Sequence, residues 1–172
     1  VNTGPTIVTG DLGVSPGSTV IGFPPGIVVE GTIHAADTVA AQAQTDAVTA
    51  YNNLAGQACD TNLTGQDLGG LTLTPGVYCF NISAQLTGAL TLDGQGDPNA
   101  VFVFQTGSTL TTASASSVLM INSASACNVF WQVGSSATFG TASEMVGNVL
   151  PLASATLNTG ANVTGRVLAH TG

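Results

Sequence analysis

Most of the chain alternates single apolar residues with small or hydroxyl-bearing ones, the period-two pattern of short, half-buried strands. Val77-Tyr78-Cys79-Phe80, Val101-Phe102-Val103-Phe104 and Val129-Phe130-Trp131-Gln132-Val133 read as strands. Gly13-Val14-Ser15-Pro16-Gly17 and Gly22-Phe23-Pro24-Pro25-Gly26 read as loops. One stretch breaks the alternation. From Asp37, a candidate N-cap, to Gly56, a natural stop, there is no intervening Gly or Pro. Val39 or Ala40, Ala43, Ala47, Ala50 or Tyr51, and Leu54 recur there at helical spacing, opposite Gln42, Gln44, Asp46, Thr49, Asn52 and Asn53. The spacing predicts an amphipathic helix over 37–55, lying against another surface.

The strand-like part repeats. Residues 136–150 read SATFGTASEMVGNVL and residues 154–168 read SATLNTGANVTGRVL, an offset of 18 residues. Phe139 falls on Leu157, Met145 on Val163 and Val149 on Val167. A weaker copy, Thr109–Ser114, aligns with Thr138–Ser143 if an insertion is allowed, and Phe104-Gln105 aligns with Trp131-Gln132 in a second register. The amino-terminal segment 2–12 matches 158–167, so the first and last segments read as neighbouring copies of one unit. An 18-residue period holds three short strands and three turns, which predicts an all-β solenoid with the helix on one side. A sandwich would give no such regular offset.

Composition narrows the partners. The chain has 172 residues, net charge −8, one Lys or Arg (Arg166), and only 6% charged residues against 44% hydrophobic ones. One arginine cannot neutralise a nucleic-acid backbone, an anionic membrane repels the chain, and no apolar run approaches a membrane span. The length fits one domain, 1–172. The surface must then be built of hydroxyls, amides and methyls, and 24 threonines supply much of it. Among three cysteines, a Cys59–Cys79 bridge would close a turn-containing loop and contribute about 3 kcal/mol. The competing reading is three reduced, buried thiols. The lack of anything cytosolic in the sequence favours the bridge, with Cys127 left free and buried. The spacings match no zinc pattern, so neither metal nor cofactor is expected.

In a solenoid, coils stack about 4.8 Å apart and same-side residues lie about 6.6–6.8 Å apart along a strand. Recurring threonines then form a flat grid, with methyls ordering water and hydroxyls anchoring it, at spacings like those of oxygens in ice. The recurring unit is Thr, Gly or Ala, any residue, then Thr or Asn. Thr3-Gly4-Pro5-Thr6 and Thr159-Gly160-Ala161-Asn162 fit it fully; Thr141-Ala142-Ser143-Glu144 and Thr112-Ala113-Ser114-Ala115 fit its first half. Thr9 and Thr164 follow in matching Val-Thr-Gly steps. Taken singly, each Thr is simply a good strand former; an aligned ladder on a charge-poor chain points to a function.

Five long strings carry a family resemblance: Thr9–Gly17, Gly22–Gly26, Leu73–Tyr78, Gly96–Gln105 and Ala126–Gln132. Through them the whole chain resembles the DUF3494 family of secreted ice-binding proteins from cold-adapted microbes. The resemblance implies a discontinuous, right-handed, triangular β-helix with one long helix packed alongside, and the amino-terminal strand beside late coils. It implies an ice crystal surface as partner, bound by a monomer through one flat face, with ice-growth and recrystallisation inhibition and thermal hysteresis. Carried over residue by residue, the ice-binding positions are Thr3, Thr6, Thr112, Thr141, Thr159 and Asn162, to which the repeat adds Thr9 and Thr164. Glu144 and Val146 depart from the pattern. Segment 57–70, with Cys59, resembles a disulfide-bearing capping loop.

Two other classes compete. A secreted or cell-surface solenoid adhesin binding glycan or protein would want exposed aromatic platforms. Aromatics are only 5% of the chain, and the one Trp, Trp131, alternates into a strand core. A β-helix enzyme cleaving polysaccharide needs a set pair of carboxylates, and the nine acids are scattered. Asp93-Gly94-Gln95-Gly96-Asp97-Pro98 reads as a solvated turn rather than a calcium loop, and no catalytic residue is expected.

Overall fold

The computed structural model, which describes residues 1–171, turns the 18-residue offset into stacked coils. Ala137 pairs with Ala155, Thr138 with Thr156 and Phe139 with Leu157, all in parallel. Met145 likewise meets Val163, and Val149 meets Val167. The chain forms two units, Val1–Thr49 and the residues from Ala50 onward, and each is taken by itself.

In the first unit, β1 (Ile7–Thr9), β2 (Leu12–Val14), β3 (Ile27–Val29) and β4 (Ile33–Ala35) form two parallel pairs, β1 with β3 and β2 with β4. Helix α1 (Thr38–Ala55) begins there, matching the sequence reading within a residue. The Asp37 carboxylate accepts the Ala40 N–H at 2.8 Å and approaches the His34 ring at 2.6 Å. Gly56 ends the helix, its N–H reaching the Asn52 carbonyl. Ala40, Ala47 and Leu54 are buried along the helix, but Ala43 is exposed and Gln44 partly buried, so the inward stripe runs 40, 44, 47, 51, 54.

The second unit holds β5 (Thr61–Asn62), β6 (Thr72–Leu73), β7 (Gly76–Phe80), β8 (Ala84–Leu86), β9 (Ala89–Asp93), β10 (Phe102–Thr106), β11 (Leu110–Thr112), β12 (Ser117–Ile121), β13 (Val129–Val133), β14 (Ala137–Phe139), β15 (Glu144–Pro151), β16 (Ala155–Leu157) and β17 (Asn162–Val167). They make three faces of a β-solenoid. Face a stacks β7, β10, β13 and the second half of β15. Face b stacks β8, β11, β14 and β16. Face c stacks β6, β9 and β12, and β15 with β17; β12 and β15 meet at Ser117 and Glu144. On face a, Leu54 of α1 packs with Val103 and Leu150, flanked by Tyr51 and Phe130.

Residues pointing inward fill the triangle. Tyr78 stacks on Phe104 with ring centroids 5.5 Å apart, and Phe104 on Trp131 at 4.0 Å. Such pairs contribute about 0.5–1.5 kcal/mol beyond their buried area. The Trp131 indole N–H donates to the Val146 carbonyl at 2.9 Å, so its one polar atom is paired.

Coil length varies at one corner. Between faces c and a, loops 94–101 and 122–128 separate β9 from β10 and β12 from β13. In the next coil β15 passes that corner without a loop, through Gly147 at φ +108°, where a Cβ would lie 2.6 Å from the Val129 carbonyl oxygen. The pairing therefore steps by 27 residues from Phe102 to Val129 and by 18 from Phe130 to Asn148. This corrects the alignment of Thr109 with Thr138, because Thr111 is the residue that pairs with Thr138.

Segment 57–70 lies against the first coil of the second unit. Cys59 and Cys79 form a disulfide with Cα atoms 5.9 Å apart, β5 pairs with β7, and Leu68 and Gly70 donate to Gln85 and Ala89. The strand edge at that end is thereby paired rather than open. Cys127 is free, but it is exposed rather than buried, because its loop bulges out at the c–a corner.

Candidate functional site

Face b is the regular surface of the second unit. Its strands are three residues long, so each coil turns one central side chain outward: Gln85, Thr111, Thr138 and Thr156. Parallel pairing in register spaces that column at about 4.8 Å. The hydroxyls of Thr111, Thr138 and Thr156 make no hydrogen bond within the described protein, and all three residues are exposed or half-buried. A second hydroxyl column stands two residues earlier. Thr109 donates to Ser83 at 2.8 Å, and the Ser136 and Ser154 hydroxyls lie 3.1 Å apart. On the other side follow Thr87, Ala113, Gly140 and Asn158. Gly140 keeps that border low, since a Cβ there would lie 2.5 Å from the Ala113 backbone. None of these positions carries a charge.

One carboxylate borders the face. Asp67 accepts the N–H groups of Gly69 (2.7 Å) and Thr87 (2.8 Å) and the Thr87 hydroxyl (2.7 Å). Desolvation pushes the Asp67 carboxyl up, but the hydrogen bonds from Thr87 and Gly69 outweigh it and hold it below the ordinary carboxylate value. Thr87 in turn accepts the Gln85 side-chain amide at 3.0 Å, so the cap fixes the first rung of the column.

The residues expected from the sequence are spread more widely. Thr112 is a correction: only 3% exposed, it points inward beside the Phe139 and Leu157 column, and its hydroxyl accepts the Gly140 N–H. A two-residue slip in alignment put it on the surface; the pairing makes Ser114, not Thr112, the equivalent of Thr141. Thr141 and Thr159 are exposed at the turn between faces b and c, where Ala142 donates to the Thr159 carbonyl. Their motif is a corner signature. Its small second residue takes positive φ, 55° at Ala142 and 72° at Gly160, where a larger side chain is disfavoured. Asn162 and Thr164 are exposed on face c, and the Asn162 amide donates to Glu144 at 3.0 Å. In the first unit Thr3, Thr6 and Thr9 are exposed, and the Thr6 hydroxyl donates to the Asn2 side chain at 2.6 Å. The sequence did hold the missed column, since Thr138 and Thr156 match across the 18-residue repeat; only Thr111 was hidden by the slip.

Comparison with known proteins gives a consistent picture. A family model described as Ice-binding-like matches residues 1–172. An ice-binding protein of Nostoc sp. (strain HG1) is 63% identical over 99% of this chain and 63% of its own length. Ice-binding protein 1 of Shewanella frigidimarina (strain NCIMB 400) is 36% identical over 98% of this chain and 22% of its own length. The chain thus spans less than two thirds of either relative. The crystal structure of an ice-binding protein from the Antarctic ascomycete Antarctomyces psychrotrophicus superimposes with a TM-score of 0.94 at 41% identity, covering 98% of this chain and 82% of that one. No helix among the described residues is long and apolar enough to cross a membrane.

Proposed function

The chain belongs to the Ice-binding-like family, and from that premise we propose that it adsorbs to ice through face b of its solenoid. The observation that carries the reading is the outward column Thr111, Thr138, Thr156 on a flat, uncharged sheet, with no hydrogen bond of its own to give up. Each rung offers a methyl that orders water beside it and a hydroxyl that anchors it. The spacing is fixed by the backbone, so little freedom is lost when the water layer freezes in place.

Faces a and c suit the task less. The first carries the end of α1 and Arg166, and the second exposes Leu119 and Ile121 and bears Asp93 and Glu144. Thr141 and Thr159 at the b–c turn extend the array at its margin. Adsorption would pin the ice front between bound molecules, giving recrystallisation inhibition and thermal hysteresis. The disulfide and the names of the relatives support action outside the cell, by a single copy of the chain.

The test uses the exposed thiol of Cys127, at the corner opposite face b, to attach a fluorophore. Labelled protein should be incorporated into a slowly grown ice hemisphere, and a Thr138→Tyr variant should be excluded from it. Exclusion of both overturns the function; incorporation of both overturns the choice of face.

A further inference from the structure

On the helix-bearing face, outward side chains of successive coils form the column Cys79, Gln105, Gln132, Leu150. Cys79 is tied to Cys59. The Gln105 amide donates to the carbonyls of Leu54 at 2.7 Å and Gln57 at 2.9 Å, satisfying the end of α1. Gln132 stands one coil further on. It is only 6% exposed, yet its amide makes no hydrogen bond to the described protein. Both amide atoms still reach solvent, so they are open to a ligand that lies against them.

Gln132 opens onto a groove of about 480 Å³, also bordered by Tyr51, Asn81, Gln105, Gly107 and Gly134. No charged side chain lines it. The two glycines keep its floor bare and close-packed: a Cβ on Gly134 would lie 2.6 Å from the Gly107 carbonyl oxygen, and one on Gly107 2.5 Å from that of Asn81.

We propose that this groove binds a small neutral polyhydroxyl compound of hexose size, with Gln132 as the hydrogen-bonding anchor. A planar amide offers donor and acceptor side by side, which pairs with two neighbouring hydroxyls. The Tyr51 ring supplies an apolar wall for the C–H face of a sugar. The uncharged lining gives an ion nothing to neutralise it, and a purely apolar ligand would leave the amides unpaired. The site is an open groove rather than an enclosed pocket, which suits a weakly bound, still largely hydrated ligand. Bound there, beside the last turn of α1, the sugar leaves face b free.

The experiment titrates glucose into the isotope-labelled full chain and follows side-chain and backbone amide resonances. The expected result is saturable shifts confined to the Gln105 and Gln132 amides and to Gly107 and Gly134, with a Kd of about 1–10 mM, as suits a twelve-atom ligand in an open groove. Gln132→Leu should weaken binding by about tenfold or more, while the variant still enters an ice hemisphere. Tyr51→Leu, which keeps an apolar contact under α1, serves the same purpose if Gln132→Leu does not fold. Shifts that rise linearly and spread over the surface overturn the proposal. So does saturable binding that neither substitution weakens. Loss of ice incorporation by the unaltered chain would instead count against the function of face b alone.

Discussion

Faces b and c are wound from the same coils, yet only one is an even array. On face b the strands are equal in length and stay in register from β8 to β16. On face c, β12 meets β15 only at Ser117 and Glu144, and the strands then part beside the loop 122–128. Leu119 and Ile121 are left 48% and 43% exposed where face b shows threonine. The difference lies in what bounds each strand. The a–b corner is three residues long in every coil, Asn81–Ser83, Gly107–Thr109, Ser135 and its two neighbours, and Leu152–Ser154, whereas the c–a corner ranges from eight residues to none. A repeated residue makes a level surface only where the connections repeat as well.

The largest effect should come from removing what both faces stand on. Trp131→Ala deletes the end of the aromatic stack and a buried hydrogen bond, and should cost about 3–5 kcal/mol, read as a fall in the chemical denaturation midpoint, with loss of ice activity at working temperature. A substitution on one face alone should split the comparison. Thr138→Tyr should lower recrystallisation inhibition roughly tenfold or more, as expected for the centre of a contact surface. Leu119→Tyr on face c should leave it unchanged, and both variants should keep stability within about 0.5 kcal/mol. Equal losses from the two would erase the distinction.

Acid should act next, and mildly. Asp67, at the border of face b, and Asp37, at the helix start, both titrate below the ordinary value of 3.8 in the folded chain. For Asp37 the causes are the Ala40 N–H first and His34 second. Carboxyls held low when folded stabilise above their unfolded value, and the gain is lost as pH falls through the folded one. Melting temperature should therefore be level from neutrality to about pH 4 as far as these two groups decide it, and fall below that. Asp67→Asn should shallow that fall.

The smallest effect should be a gain. Thr106 and Ser143 bury hydroxyls that have no partner. Thr106 pairs with Phe80 and Val133 in an inward column, so Thr106→Val replaces an unpaired hydroxyl by a methyl and should raise stability by up to about 1 kcal/mol. Denaturant unfolding would show it, and a drop in midpoint would mean that water occupies the site.

The sequence reading located the helix to within a residue, the disulfide and the ladders Phe139–Leu157 and Met145–Val163, because each rests on local spacing or on a repeat without insertions. It lost the central column of face b for a definite reason. The 26- and 27-residue coils keep most of their extra length inside one corner, and a text alignment has no means of choosing where a gap belongs. Placing it two residues off preserved the strand alternation for Thr109 and Thr111 but moved the turn motif onto Thr112, which is buried. Cys127 was misplaced by the same loop. Gln132 carried no signal at all, since its solitude depends on Gln105 alone reaching the helix end.

The corner where β15 runs on through Gly147 lies across the triangle from the threonine column. Most of what a coil gains or sheds in length is absorbed there, on the side farthest from the threonines, as slack is taken up at the back of a belt. Residues can be added to or removed from 94–101 or 122–128 without putting Thr111 and Thr138 out of phase. A tower built this way can change its girth storey by storey while its front wall stays plumb.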